Sequence, residues 1–154
     1  MDRRGTTIIR DHTSGPRHAA GVTLLEILIV LAIVGILAVI AVPSYQEGVR
    51  KSRRVDAMDS LLELASQQER FYARTGTYTT EVAAATGLNF GSTVSPDDDY
   101  ALAVAACTGG TIAQCYRITA TPLGDQVNDT RCGTFTLDSR AGKSASGVDG
   151  ANCW

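Results

Sequence analysis

Gly21-Val22-Thr23-Leu24-Leu25-Glu26-Ile27-Leu28-Ile29-Val30-Leu31-Ala32-Ile33-Val34-Gly35-Ile36-Leu37-Ala38-Val39-Ile40-Ala41-Val42 decides the fold. From Ile27 to Val42, twelve of sixteen residues are Leu, Ile or Val. At roughly −0.5 kcal/mol each these favour bilayer insertion by roughly 6 kcal/mol. Counted from Val22 the stretch is 21 residues, about 32 Å of helix at about 1.5 Å per residue, which matches a hydrocarbon core of about 30 Å. The chain has a single run of this kind. Glu26 stands directly before it. A carboxylate beside hydrocarbon calls for a partner or a role, although one at the edge of a span can also rest at the headgroup level at lower cost.

The order Gly21-Val22-Thr23-Leu24-Leu25-Glu26, followed by Ile27-Leu28-Ile29-Val30, resembles the type III signal of type IV pilins and related pseudopilins. That resemblance implies a membrane-embedded prepilin peptidase that cuts between Gly21 and Val22 and methylates the new Val22 terminus. It also implies that Glu26 serves assembly. The first mature residue in the family is more often Phe or Met, so Val22 is a departure that bears on methylation more than on cleavage. In a water-excluding bundle of apolar helices the charge of Glu26 needs an opposite, and the α-amino group of a neighbouring subunit's Val22 is the nearest cation. A buried pair of this sort sets register more than it adds stability. Glu26 is therefore expected to specify the axial step between subunits or recruitment by the inner-membrane assembly platform.

The leader, Met1 to Gly21, carries Arg3, Arg4, Arg10 and Arg17 against Asp2 and Asp11 and has no hydrophobic periodicity. It is set apart from the fold. A conventional secretory signal is the rival, since Ile27 to Ile40 has the length of an h-region and Val39-Ile40-Ala41 offers small residues to a signal peptidase, with a mature start at Val42. Arg50, Lys51, Arg53 and Arg54 follow the span and nearly balance the leader's arginines, so charge alone does not orient it. Cys107, Cys115, Cys132 and Cys153 all lie downstream, an even set suited to an oxidising compartment, which predicts a periplasmic C-terminal domain.

Without the leader the chain holds 10 basic and 14 acidic side chains, a net charge near −4 that points to no nucleic-acid partner. The Arg50 to Arg54 cluster is expected to be a solvated or headgroup-contacting helix face. Both histidines, His12 and His18, belong to the leader, so His-paired nucleophiles and mixed Cys/His zinc sites are excluded from the processed chain. Gly142-Lys143-Ser144 lacks the upstream glycine of a phosphate loop, whose place is taken by Leu137. Pro96-Asp97-Asp98-Asp99 reads as a turn with solvated acids rather than a calcium site, and Asn128-Asp129-Thr130 is only a formal glycosylation sequon. No catalytic residue, metal site, cofactor or direct nucleic-acid site is indicated.

Beyond the span, Tyr45, Val49, Met58, Leu61, Leu62, Ala65 and Tyr72 keep helical spacing with charges between them. One long helix is expected, its residues 44–74 an amphipathic continuation of the span at 22–43, ended by Gly76. Gly35 lowers helix propensity and Pro43 cannot donate to the carbonyl of Val39, which predicts a bend between them. The pilin resemblance implies that this stretch melts on filament packing. Residues 75–99, rich in Thr, Gly, Ser and Asp, resemble the family's αβ-loop, with a short helix expected at Glu81 to Thr86 closed by Gly87.

Strand alternation follows at Tyr100, Leu102 and Val104, at Tyr116, Ile118 and Ala120, and at Phe135 and Leu137. A fourth strand within Lys143 to Val148 is not specified, because Gly and Ser dominate there. The cysteines fit two local bridges, Cys107 to Cys115 and Cys132 to Cys153, among three connectivities open to four cysteines. Residues 100–154 then form a small antiparallel sheet with a disulfide-closed C-terminal loop. The fold class is α+β: a long N-terminal helix, membrane-spanning in its first half, packed on an antiparallel sheet, as the type IV pilin resemblance also implies.

Thr130-Arg131-Cys132-Gly133-Thr134-Phe135-Thr136-Leu137-Asp138 with Asn152-Cys153-Trp154, and Gln68-Glu69-Arg70-Phe71-Tyr72 to Gly76-Thr77-Tyr78, look like minor pilins of the PilE type. The resemblance implies a structural pilus subunit that supports twitching motility, adhesion or DNA uptake. Its partners would be other pilins through the helix, the prepilin peptidase, the assembly platform and, before assembly, the lipid bilayer of the inner membrane; afterwards it would lie in an extracellular pilus. The alternatives are a major pilin, a type II secretion pseudopilin, or a periplasmic binding domain that never polymerises.

Overall fold

The computed structural model describes residues 21–154. The leader residues before Gly21, with His12 and His18, lie outside the described residues. Two parts divide after Ile40. In the first, every residue from Gly21 to Ile40 is exposed, its apolar side chains uncovered among the described residues. Helix α1, Leu24–Thr75, includes Gly35 and Pro43 without a break in its helical assignment.

In the second part, the residues of α1 that turn inward are Arg54, Ala57, Ser60, Leu61, Leu64 and Gln68, stepping by threes and fours along one face. This differs from the stripe expected from apolar spacing. Tyr45 is 75% exposed, and Leu62 and Tyr72 also face outward. The true core face includes an arginine, a serine and a glutamine, which a count of apolar residues passes over. Gln68 is accommodated because its amide donates to the carbonyl of Thr79 at 2.6 Å and accepts from the Thr79 N–H at 3.1 Å, so both of its ends are satisfied.

At the end of α1, Gly76 takes φ +75°, and its N–H bonds the carbonyl of Tyr72 at 2.8 Å. This is the left-handed stop that glycine permits. The expected helix at Glu81 to Thr86 is absent; the segment is a loop of bends and turns. The Glu81 carbonyl receives the N–H of Leu88, and the Val82 carbonyl that of Phe90, so the acceptors a helix would use are taken by chain folding back. That fold-back presses Gly87 against the Glu81 backbone where a Cβ would collide.

Four antiparallel strands, β1 (Tyr100–Ala106), β2 (Tyr116–Pro122), β3 (Phe135–Asp138) and β4 (Lys143–Ala145), run in sequence order across the sheet. Their alternation places Tyr100, Leu102, Val104, Tyr116, Ile118, Ala120, Phe135 and Leu137 in the core with Ala57, Leu61 and Leu64 of α1. β4 escaped the sequence because it is three residues of mixed polarity, held by register with β3 from Phe135↔Ala145 to Leu137↔Lys143. Two disulfides, Cys107–Cys115 with Cα atoms 5.5 Å apart and Cys132–Cys153 at 5.7 Å, close the β1–β2 connection and the C-terminal loop. The second spans 21 residues, enough to restrict the unfolded chain by about 3 kcal/mol in the loop-entropy account.

The basic cluster beyond the span is not a uniformly solvated face. Arg53 pairs with Asp99 at 3.2 Å. Arg54 is only 9% exposed, and it donates from Nε and Nη2 to the two carboxylate oxygens of Asp129, itself 2% exposed, at 2.7 Å each. Glu47 accepts from both Arg54 and Arg131, and Arg131 also holds Asp149 at 2.7 Å. Gln126 donates to Tyr100 Oη at 2.9 Å and to Asp129 at 3.3 Å. Burial alone would raise the Asp129 carboxyl, but the Arg54 guanidinium and the backbone N–H groups of Cys132 and Arg131 outweigh it and hold the carboxyl below the ordinary carboxylate range.

A carboxyl depressed on folding contributes stability above its unfolded value, near pH 4, and loses it as pH falls through the folded one. The thermal stability of the detergent-solubilised chain, followed by circular dichroism, should therefore fall in acid below about pH 4, with a shallower slope in Asp129→Asn. Asp129→Ala, which leaves Arg54 with the part-exposed Glu47 as its remaining carboxylate partner, should cost about 3 kcal/mol.

Candidate functional site

At the start of α1, Thr23 accepts the Glu26 N–H on its hydroxyl at 3.2 Å and the Ile27 N–H on its carbonyl at 3.2 Å. Thr23 is thus the N-cap, and Thr23-Leu24-Leu25-Glu26 has the form of a capping box. The expected sites Gly21, Val22 and Glu26 all lie within this exposed first turn or just ahead of it. An anion is favoured there by the positive end of the helix dipole. The geometry gives the capping part to Thr23, while Glu26 lies exposed in the first turn. The S/T-x-x-E pattern that signals the cap was present in the sequence.

A second grouping lies at one end of the sheet. Arg117 of β2 is exposed, and its Nη2 donates to Thr108 Oγ1 at 2.7 Å. Opposite it in register stands Asp138, whose Oδ1 accepts the N–H groups of Arg140 at 2.9 Å and Gly142 at 2.8 Å and so fixes the β3–β4 turn. Arg140 is exposed with no carboxylate partner among the described residues. Lys143 Nζ rests 4.9 Å from the Trp154 ring centre. A cleft of about 320 Å³ runs between Arg117, Thr136, Lys143 and Ser144, and one of about 420 Å³ borders Tyr78, Gly109, Gln114 and Arg140.

Below this end, the hydroxyls of Tyr78 and Tyr116 both donate to Glu69 Oε1 at 3.3 Å, and the two rings pack edge to face with centres 4.8 Å apart. Burial, then the Glu69 charge, pushes the Tyr116 hydroxyl up, so it stays a donor. The cations Arg117, Arg140 and Lys143 are scattered in the sequence and meet only through strand pairing. The sequence marked none of them as a site, and an overall acidic charge hid the local excess. Pro96 to Asp98 form an exposed turn, as expected, while Asp99 is drawn to Arg53.

The family model described as "Type IV minor pilin ComP, DNA uptake sequence receptor" matches residues 43–136, and that of the prokaryotic N-terminal methylation motif matches residues 16–42. The chain is 33% identical over 109 residues to the fimbrial protein EcpC of Eikenella corrodens, covering 69% of this chain and 68% of that protein. It is 38% identical over 63 residues to the type IV major pilin protein PilA of Myxococcus xanthus, covering 41% of this chain and 28% of that one. A solved type IV pilin from Shewanella oneidensis is 25% identical, with 68% of this chain and 97% of that chain covered at a TM-score of 0.47. An apolar helix opened by the methylation motif, followed by a domain that the minor-pilin model matches through the start of the third strand, makes this chain a member of the type IV minor pilin ComP family.

Proposed function

We propose that this pilin is cut between Gly21 and Val22 by a prepilin peptidase and methylated at Val22. It is then held in the inner membrane with its C-terminal domain periplasmic, and handed by the assembly platform into a pilus. There its domain captures duplex DNA for uptake. The observation that carries the reading is the match of residues 43–136 to a family described as a DNA uptake sequence receptor. The Arg117, Arg140 and Lys143 end of the sheet supports it, since exposed cations flanked by Thr108, Thr136 and Ser144 hydroxyls suit phosphate oxygens. A mature net charge near −4 fits a receptor with a confined contact better than a broad, sequence-blind DNA coat.

Intact mass of the fibre-borne protein should place its first residue at Val22 with one added methyl group. Glu26→Gln keeps a capping-box residue while removing the charge, so it should leave the helix formed yet deplete the subunit from sheared fibres. Normal incorporation would refute the assembly role. In mobility-shift titrations with duplex DNA, Arg117→Gln with Arg140→Gln should weaken binding and flatten the dependence of log K on log salt by about 1 for each phosphate that is no longer neutralised; an unchanged slope would remove this end of the sheet as the DNA contact.

A further inference from the structure

On the outer side of α1, Arg70 and Arg74 stand one helical turn apart, with Cβ atoms about 5–6 Å from each other. Both are exposed, and neither takes part in an ion pair among the described residues. Each is positioned by a neutral group: Arg70 Nη2 donates to Ser66 Oγ at 3.0 Å, and the Arg74 guanidinium lies 5.9 Å from the Phe71 ring centre. The nearest helix carboxylates are engaged elsewhere, Glu63 with Gln67 and Glu69 with Tyr78 and Tyr116. The two positive charges are therefore oriented but uncompensated.

They line a cleft of about 650 Å³ between α1 and the 85–89 loop, with Ala73 and Ala85 as exposed apolar surface and Gln67 and Asn89 also in its lining. The loop side is stiffened by the fold-back at Gly87.

We infer that this cleft binds the carboxylate of an acidic saccharide. Paired guanidinium forks match a planar carboxylate, the exposed Asn89 amide matches ring hydroxyls, and the exposed Ala73 and Ala85 surface matches an apolar sugar face. A volume within the usual range for small-molecule sites suits a single sugar unit. A duplex, whose phosphates lie on a convex surface, does not match the concavity. The site shares no residue with the cationic end of the sheet, so it stands or falls apart from the DNA reading.

Saturation-transfer NMR on the full processed chain in detergent, with glucuronic acid as probe and glucose and inorganic phosphate as controls, tests this. Glucuronic acid should show transfer and glucose none. Arg70→Gln with Arg74→Gln should weaken binding about tenfold or more, as expected for the removal of charge-assisted bonds, whereas Arg117→Gln with Arg140→Gln should leave it unchanged. No transfer from glucuronic acid, equal binding by the Arg70/Arg74 variant, or displacement by phosphate at equal concentration would each overturn the inference.

Discussion

The bidentate pair of Arg54 with Asp129 is the constraint around which the C-terminal part is arranged. Withdrawing two charges from water is costly, and only close geometry with further hydrogen bonds offsets it. Here the guanidinium meets both carboxylate oxygens at 2.7 Å, and Gln126 and the Cys132 N–H take up remaining acceptor capacity. Such a pair contributes less to net stability than to uniqueness. Sliding α1 by one turn against the C-terminal loop would take Arg54 out of this contact and leave the buried Asp129 carboxylate without its guanidinium. The neighbouring Cys132–Cys153 bridge closes that same loop, so covalent and ionic restraints act on one stretch of chain.

Glu47 extends the restraint outward. By accepting from Arg54 and from Arg131, which itself grips Asp149, it joins the early turns of α1 in this part to the loop on both sides of the disulfide. These outer pairs are partly exposed and individually worth little. Their effect is to hold the early turns of this part of α1 in one place against the C-terminal loop.

How much of this was legible in the sequence follows from the range of each interaction. The apolar span, the Gly76 stop and the alternation in β1, β2 and β3 depend on neighbours a few residues apart, and local pattern reveals them. The core face of α1 departs from the apolar stripe because Arg54 and Gln68 belong to it, each made acceptable by a partner outside the helix: Asp129, 75 residues away, and the backbone of Thr79. β4 depends on its register with β3 rather than on its own composition. The same holds for the site. Gly21, Val22 and Glu26 form a compact motif, whereas Arg117, Arg140 and Lys143 become a cluster only once the strands pair.

On the assembly role proposed above, Glu26 would answer several demands with one side chain, and the order in which they arise is physical. A helix end in or near lipid must satisfy its first N–H groups without help from water, and Thr23 caps the Glu26 N–H. The proposed cut before Val22 then creates an α-ammonium group two residues ahead of the helix, beside the positive end of its dipole, where a cation is disfavoured. A carboxylate in the first turn counters both the dipole and the new charge. In a bilayer it can do so at the headgroup level, but in a packed bundle of apolar helices the carboxylate and an ammonium must find each other across or within subunits. On that proposal, a residue that is merely tolerable at the membrane edge would become selective for one register once water is excluded.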